Sequence, residues 1–123
     1  MAEQPYHAHI YFDEAEHEAA AALREQLRAL AEIQFVGRMM VTGVGPHPIP
    51  QYEVHFGESG RDAVMALIEP TGLRALVHPL TQDDLADHTS LGHWIGEPVE
   101  LDVSVLDPPG VNQGLPRFGV SDF

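Results

Sequence analysis

Alternation with a period of two marks several stretches of the chain. In Tyr6–Phe12 (YHAHIYF), Tyr6, Ala8, Ile10 and Phe12 fall on one side of an extended strand, and His7, His9 and Tyr11 fall on the other. Gln51–Phe56 (QYEVHF) repeats the pattern, with Tyr52, Val54 and Phe56 apolar and Gln51, Glu53 and His55 opposite them. Leu73–His78 (LRALVH) reads as another strand, and Pro79 favours extended backbone at its last residue. Further strands are expected over Phe35–Thr42 (FVGRMMVT) and over Val99–Val105, where Val99, Leu101, Val103 and Val105 alternate with Glu100, Asp102 and Ser104.

Helical spacing fills the gaps. Asp13 reads as a cap, Glu14, Glu16 and Glu18 suit the first turns, and the helix should run to about Ala31 with Ala15, Ala19, Ala22, Leu23, Leu27 and Leu30 as its apolar stripe. Ser59 with Asp62 three residues on reads as the start of a second helix, carried by Val64, Leu67 and Ile68 and stopped by Pro70 and Gly72. A short helix is expected over Thr81–His88. The order strand, helix, strand, strand, helix, strand predicts an α+β fold of the ferredoxin-like βαββαβ kind. It has an antiparallel sheet with two helices on one face, plus a short helix and an extra C-terminal strand. The other sheet face would be open in a single copy, so pairing into a dimeric α+β barrel is expected to cover it. Residues 1–123 read as one domain, with 107–123 an extended tail that is either mobile or laid across a partner.

Charge narrows the partners. Nineteen acids stand against six arginines and no lysine, a formal net charge of -13, which repels phosphate backbones and anionic membranes. With no cysteine, disulfides, thiol catalysis and thiolate metal sites are excluded. No signal-like apolar run follows the N-terminus and none approaches the length of a membrane span, so the expectation is a soluble, cytoplasmic protein.

The candidate chemistry lies in the histidines. His7 and His9 share one strand face, His55 and Glu53 another, and His78 sits at a strand end fixed by Pro79. His47 is held in a loop stiffened by Pro46, Pro48 and Pro50, while His88 and His93 follow later in the chain. Imidazoles with or without a carboxylate form an N/O donor set suited to Fe(II), Zn, Mn or Ni, and three protein ligands with open positions would make a catalytic site. Acid/base chemistry by shifted histidines, without a metal, is the competing reading. Arg38 could grip a substrate carboxylate or form an ion pair with one of the many acids.

Taken together, HAHIYF (7–12), VGR (36–38), GPHPIPQYEVHF (45–56), GLRALVHP (72–79), DLADHT (84–89) and WIGEPVELDVSVL (94–106) resemble the DOPA 4,5-dioxygenase-like proteins over roughly residues 6 to 106. The resemblance implies a dimeric α+β fold and an extradiol-type enzyme that cleaves a catechol ring with non-haem Fe(II) and O2. Zn or another divalent metal is able to occupy the same site. The family's histidines fall on His7, His9, His47, His78 and His88, and its acidic position on Glu53. On that resemblance, His9, His47 and His78 are expected to hold the metal, with His7 or His88 as acid/base, Glu53 orienting an imidazole and Arg38 binding the substrate's carboxylate. The alternatives are another metal- or histidine-dependent enzyme on this scaffold, an isomerase or lyase, and a non-catalytic dimeric protein that binds a small ligand.

Overall fold

The alternating stretches form the centre of the sheet, because a strand whose every second residue is apolar needs neighbours with the same pattern to bury that side. In the computed structural model, which describes residues 3–121, β1 (Pro5–Tyr11), β2 (Ile33–Val36), β3 (Gln51–Gly57), β4 (Ala75–Pro79) and β5 (His93–Ile95) make one antiparallel sheet. Its order is β2-β3-β1-β4-β5. The first four strands have the order expected of βαββαβ, and β5 extends the β4 edge. Helix α1 (His17–Arg28) and helix α2 (Arg61–Ile68) both pack on the apolar side. There Ala8, Ile10, Phe12, Tyr52, Val54, Phe56 and Val77 meet Ala20, Leu23, Leu27, Val64 and Ile68. The Tyr52 hydroxyl donates to the Ala20 carbonyl at 2.9 Å and ties α1 to β3.

Several local expectations are corrected. The buried stripe of α1 is Ala20, Leu23 and Leu27, while Ala15, Ala19 and Ala22 face solvent. Asp13 and Glu16 exchange backbone-to-carboxylate hydrogen bonds of 3.1 and 2.8 Å in the turn that leads into the helix, so the capping chemistry acts before the first helical turn. Ser59 does not cap α2. Its N–H and hydroxyl donate to the Glu3 carboxylate, and a 3-10 turn, Glu58–Gly60, precedes the helix. Gly72 ends the segment after α2 with φ +76°.

β2 lies earlier than Phe35–Thr42. Gly37 packs so closely on β3 that an added Cβ would stand 2.9 Å from Glu53 Cγ, and beyond it the chain leaves the ladder and meets β3 again at the Met40–Gln51 bridge. Val99–Val105 is not a strand. Val99 is buried, but Asp102 accepts from the Ser104 N–H and hydroxyl, and Val103–Val105 close into a 3-10 turn with both valines exposed. The extra strand of the sheet is instead His93–Ile95. Its Trp94 stacks on Tyr11 with ring centroids 5.8 Å apart and, with Leu76 and Val99, closes a second apolar cluster.

The tail crosses the second face of the sheet in its own chain. Gly110 N–H donates to the Gln82 carbonyl (2.7 Å), Asn112 is buried, and Gly119 N–H donates to His55 Nδ1 (3.0 Å). His7, His9, His47, His55 and His78 are each at most 1% exposed, so their burial is complete without a second subunit.

Candidate metal centre

Strand register sets the layout of the second face. Across β3, β1 and β4, His55, His7 and His78 are Cα partners in one row, and Glu53, His9 and Leu76 form the next. Gln51 pairs with Tyr11 in a third row. Adjacent strands lie about 4.8 Å apart, so side chains in these rows must touch. His7 stacks on His55 with centroids 3.8 Å apart, and His7, His9 and His78 form a triangle of ring centroids 5.8, 5.5 and 5.1 Å on a side. His47, from the proline-stiffened loop, lies 4.1 Å from His9, and His88, from α3 (Asp84–His88), lies 4.2 Å from His78.

Hydrogen-bond partners decide where each imidazole carries its proton. The Pro79 carbonyl, 2.8 Å from His78 Nδ1, can only accept, so Nδ1 is protonated and His78 Nε2 presents a lone pair. The Asp84 carbonyl does the same for His88 at 2.8 Å. His9 Nδ1 donates to Gln51 Oε1 at 3.0 Å, which aims His9 Nε2 at His78 Nε2, 3.0 Å away. Two ring nitrogens that close, at least one of them a bare lone pair, need a proton or a cation between them. Burial holds the Tyr11 hydroxyl protonated far above its ordinary range, and it donates to His47 Nδ1 at 2.6 Å, leaving the proton of His47 on Nε2. Gly119 places the proton of His55 on Nε2, which faces Glu53 at 3.5 Å.

Burial first, and the neighbouring imidazoles second, hold His7, His9, His47 and His78 well below the usual histidine value. They are therefore neutral near pH 7, the form that ligates metals. His7 Nε2 is buried and has no hydrogen-bond partner among the described residues. Such an orphan, beside a pair of nitrogens that need a cation, fits a divalent metal better than a closed polar core.

Mutually close donor atoms fall into three sets among the described residues: His7, His9 and His78; His9, His47 and His88; and His7, Glu53 and His55. The first two open onto a cavity of about 250 Å³ that His7, His9, His47, His78 and His88 line. His9, His47 and His78, expected as the ligands, are thus split between two sets that share His9. Glu53 lies behind the cavity, against His55. Arg38 is exposed and sits in a separate crevice with Gly37, Gln51 and Glu53, and His93 is exposed on β5. The cation that does line the histidine cavity is Arg117, from the tail, with Asn112 and Gln113 near it. Its position had no periodic signal; an arginine in a turn-rich segment (GLPRFG) looks like any surface residue.

Residues 6–105 match the sequence model of the Dopa 4,5-dioxygenase family. A DOPA 4,5-dioxygenase of Amanita muscaria is 35% identical over 111 residues, which cover 82% of this chain and 49% of that protein. An uncharacterised 21.2 kDa protein of Botryotinia fuckeliana is 30% identical over 115 residues, 82% of this chain and 62% of that protein. The chain thus spans between about half and three fifths of the length of these curated relatives. A protein of Nostoc punctiforme with a crystal structure, provisionally named a dioxygenase, superposes with a TM-score of 0.78 at 36% identity, over 84% of this chain and 90% of that one. No helix among the described residues is long and apolar enough to cross a membrane.

Proposed function

Because the chain belongs to the Dopa 4,5-dioxygenase family, we propose that it is an Fe(II)-dependent extradiol-type dioxygenase that opens the ring of DOPA or a related catechol with O2. The observation that carries this reading is the 3.0 Å approach of His9 Nε2 to His78 Nε2 beside the orphaned His7 Nε2, at the wall of a cavity of about 250 Å³. His7, His9 and His78 would hold the ion, a set drawn from two adjacent strands whose three side chains line the cavity. Bound there, Fe(II) supplies a Lewis acid for the two catechol oxygens and an electron path between the ring and O2.

The chain's own groups do the rest. Gln51 and the Pro79 carbonyl fix the tautomer and orientation of His9 and His78 through their Nδ1 atoms. His88, with Nδ1 committed to Asp84, offers Nε2 as the base for a catechol hydroxyl. His47 carries its proton on Nε2 with Tyr11 behind it, which suits a proton donor to oxygen better than a ligand. Glu53 and His55 brace His7 from the side away from the cavity. Leu80, Val105 and Leu106 line the cavity and limit water where the ring would lie.

Elemental analysis of protein loaded with Fe(II), together with O2 uptake and the yellow semialdehyde from a catechol panel, tests the proposal. Wild type should retain about one iron per chain and consume O2 with catechol. His9→Leu should lose at least about 100-fold in metal affinity, since even partners of ligands are worth 10- to 100-fold. Iron retention that ignores His9 would overturn the site, and retained iron without O2 uptake would turn the reading to a ligand-binding protein.

A further inference from the structure

We propose that residues 110–119 form a hinged lid on the histidine cavity, latched by Asn112, and that a ligand reaches the imidazoles only after the lid lifts. The lid lies beyond the family match at 6–105. The inference rests on the proposed site for what the lid covers, but not on ring cleavage.

Burial sets the need for an opening. His7, His9, His47 and His78 are each 1% exposed and His88 is 8% exposed, so the rings that line the cavity show almost no surface to solvent. A ligand of catechol size that binds an ion there has to touch them. Three of the walls are poorly suited to give way. β1 is paired on both sides, to β3 and to β4. The His47 loop is stiffened by prolines and tied to the Tyr11 hydroxyl. Helix α3 carries His88 on a turn that buried Asp87 fixes by accepting from the Thr81 hydroxyl (2.6 Å) and N–H (2.8 Å). The fourth wall comes from the tail, through Asn112, Gln113 and Gly114.

That fourth wall is built to move. Of residues 110–119 Asn112 alone is buried, so the segment gives the core no fully buried apolar side chain, and segments of this kind open at low cost. Two glycines of positive φ bracket it, Gly110 (+86°) and Gly119 (+90°), and a Cβ added at either would meet nothing within 4 Å. What glycine provides at both ends is therefore backbone freedom, not space, as a hinge requires. Hydrogen bonds hold the lid shut. Asn112 Nδ2 donates to the Thr81 carbonyl (2.7 Å) and to Asp87 (2.8 Å), and at the far end Gly119 N–H donates to His55 Nδ1 (3.0 Å) while Phe118 stacks on the same ring. The latch closes on the residue next to His88, so closing the cavity and setting that base share one anchor.

Two readings on metal-free protein at pH 7 test the lid: hydrogen exchange resolved by peptide, and the initial rate at which diethyl pyrocarbonate, a neutral reagent for unprotonated imidazole, modifies each histidine. In wild type His9 and His78 should react at least about 10-fold more slowly than exposed His17 and His93. Asn112→Ala removes two hydrogen bonds, one of them to a carboxylate, and should speed both buried histidines and exchange in 110–119 by about 10-fold or more, with the amides of β1, β3 and β4 unchanged. Gly119→Ala strains the closed backbone and should act in the same direction by about 5-fold or more. Val111→Ala, at an exposed position of the same segment, should leave both readings alone. Wild-type His9 and His78 as reactive as His17, faster tail exchange without faster histidines, or histidines that speed up only together with the sheet amides would each overturn the lid. A lid that behaves as expected in a protein that takes up no O2 with Fe(II) and catechol would stand while ring cleavage fell.

Discussion

On one side of the sheet Ala8, Ile10, Val54, Phe56 and Val77 are buried by α1 and α2. On the other, His7, His9, Glu53, His55 and His78 are buried as deeply by loops and the C-terminal tail. The first face holds the fold together through burial of apolar area, roughly 25 cal/mol per Å². The second encloses polar nitrogens whose desolvation opposes folding unless each finds a partner. One set of strands therefore carries a stabilising face and a face maintained for chemistry, and its alternation keeps the two apart.

The sharpest break of that contrast is a paired truncation. Phe56→Ala, on the helix side, should cost about 3–5 kcal/mol through lost burial and the cavity left behind. His7→Leu fills similar space and removes an orphaned nitrogen, so metal-free protein should change by no more than about 1 kcal/mol, and toward greater stability. Denaturant midpoints of both variants, measured after chelation, check this. A His7→Leu loss as large as that of Phe56→Ala would mean that the histidine face is structural.

The same contrast was only partly legible in the sequence. Register did the legible part: alternation in β1 and β3 puts His7, His9, Glu53 and His55 on one surface once the two strands pair, and the pairing of β4 with β1 brings His78 into the row of His7 and His55. What stayed hidden was whatever lacks a period. Arg117, Asn112 and Phe118 reach the site through turns stabilised by single hydrogen bonds from residues far along the chain. Nor did the sequence show any sign of the contact between Tyr11 and His47, in which the Tyr11 hydroxyl donates to His47 Nδ1 and so settles the tautomer.

Acid should act on the histidine face alone. His7, His9, His47 and His78 titrate below their unfolded value, mainly because burial opposes their charging. As pH falls, the unfolded chain takes up protons first, so their contribution to stability is fully present above about pH 6.5 and is lost progressively below it. Thermal melts of metal-free protein should therefore hold level from pH 8 to 7 and drop steeply between pH 6 and 5. Bound metal, which requires neutral imidazole, should move that drop to lower pH. A metal-free melting curve insensitive to pH in this range would mean that these rings are hydrated in solution.

The smallest effect is expected where alternation misled. Val103 belongs to a stretch, Val99–Val105, patterned like the core strands, yet it is 44% exposed in a 3-10 turn whose geometry is set by Asp102 and Ser104. β5 already occupies the β4 edge of the sheet, so this segment has no ladder to join there. Val103→Thr should thus shift stability by no more than about 0.5 kcal/mol, as surface substitutions do. A true core strand would respond differently, because a hydroxyl placed against Leu76 or Val99 would need a partner. A loss above about 1.5 kcal/mol in Val103→Thr would show that the segment pairs as a strand in solution, and the contrast between a regular apolar face and an irregularly covered chemical face would have to be redrawn.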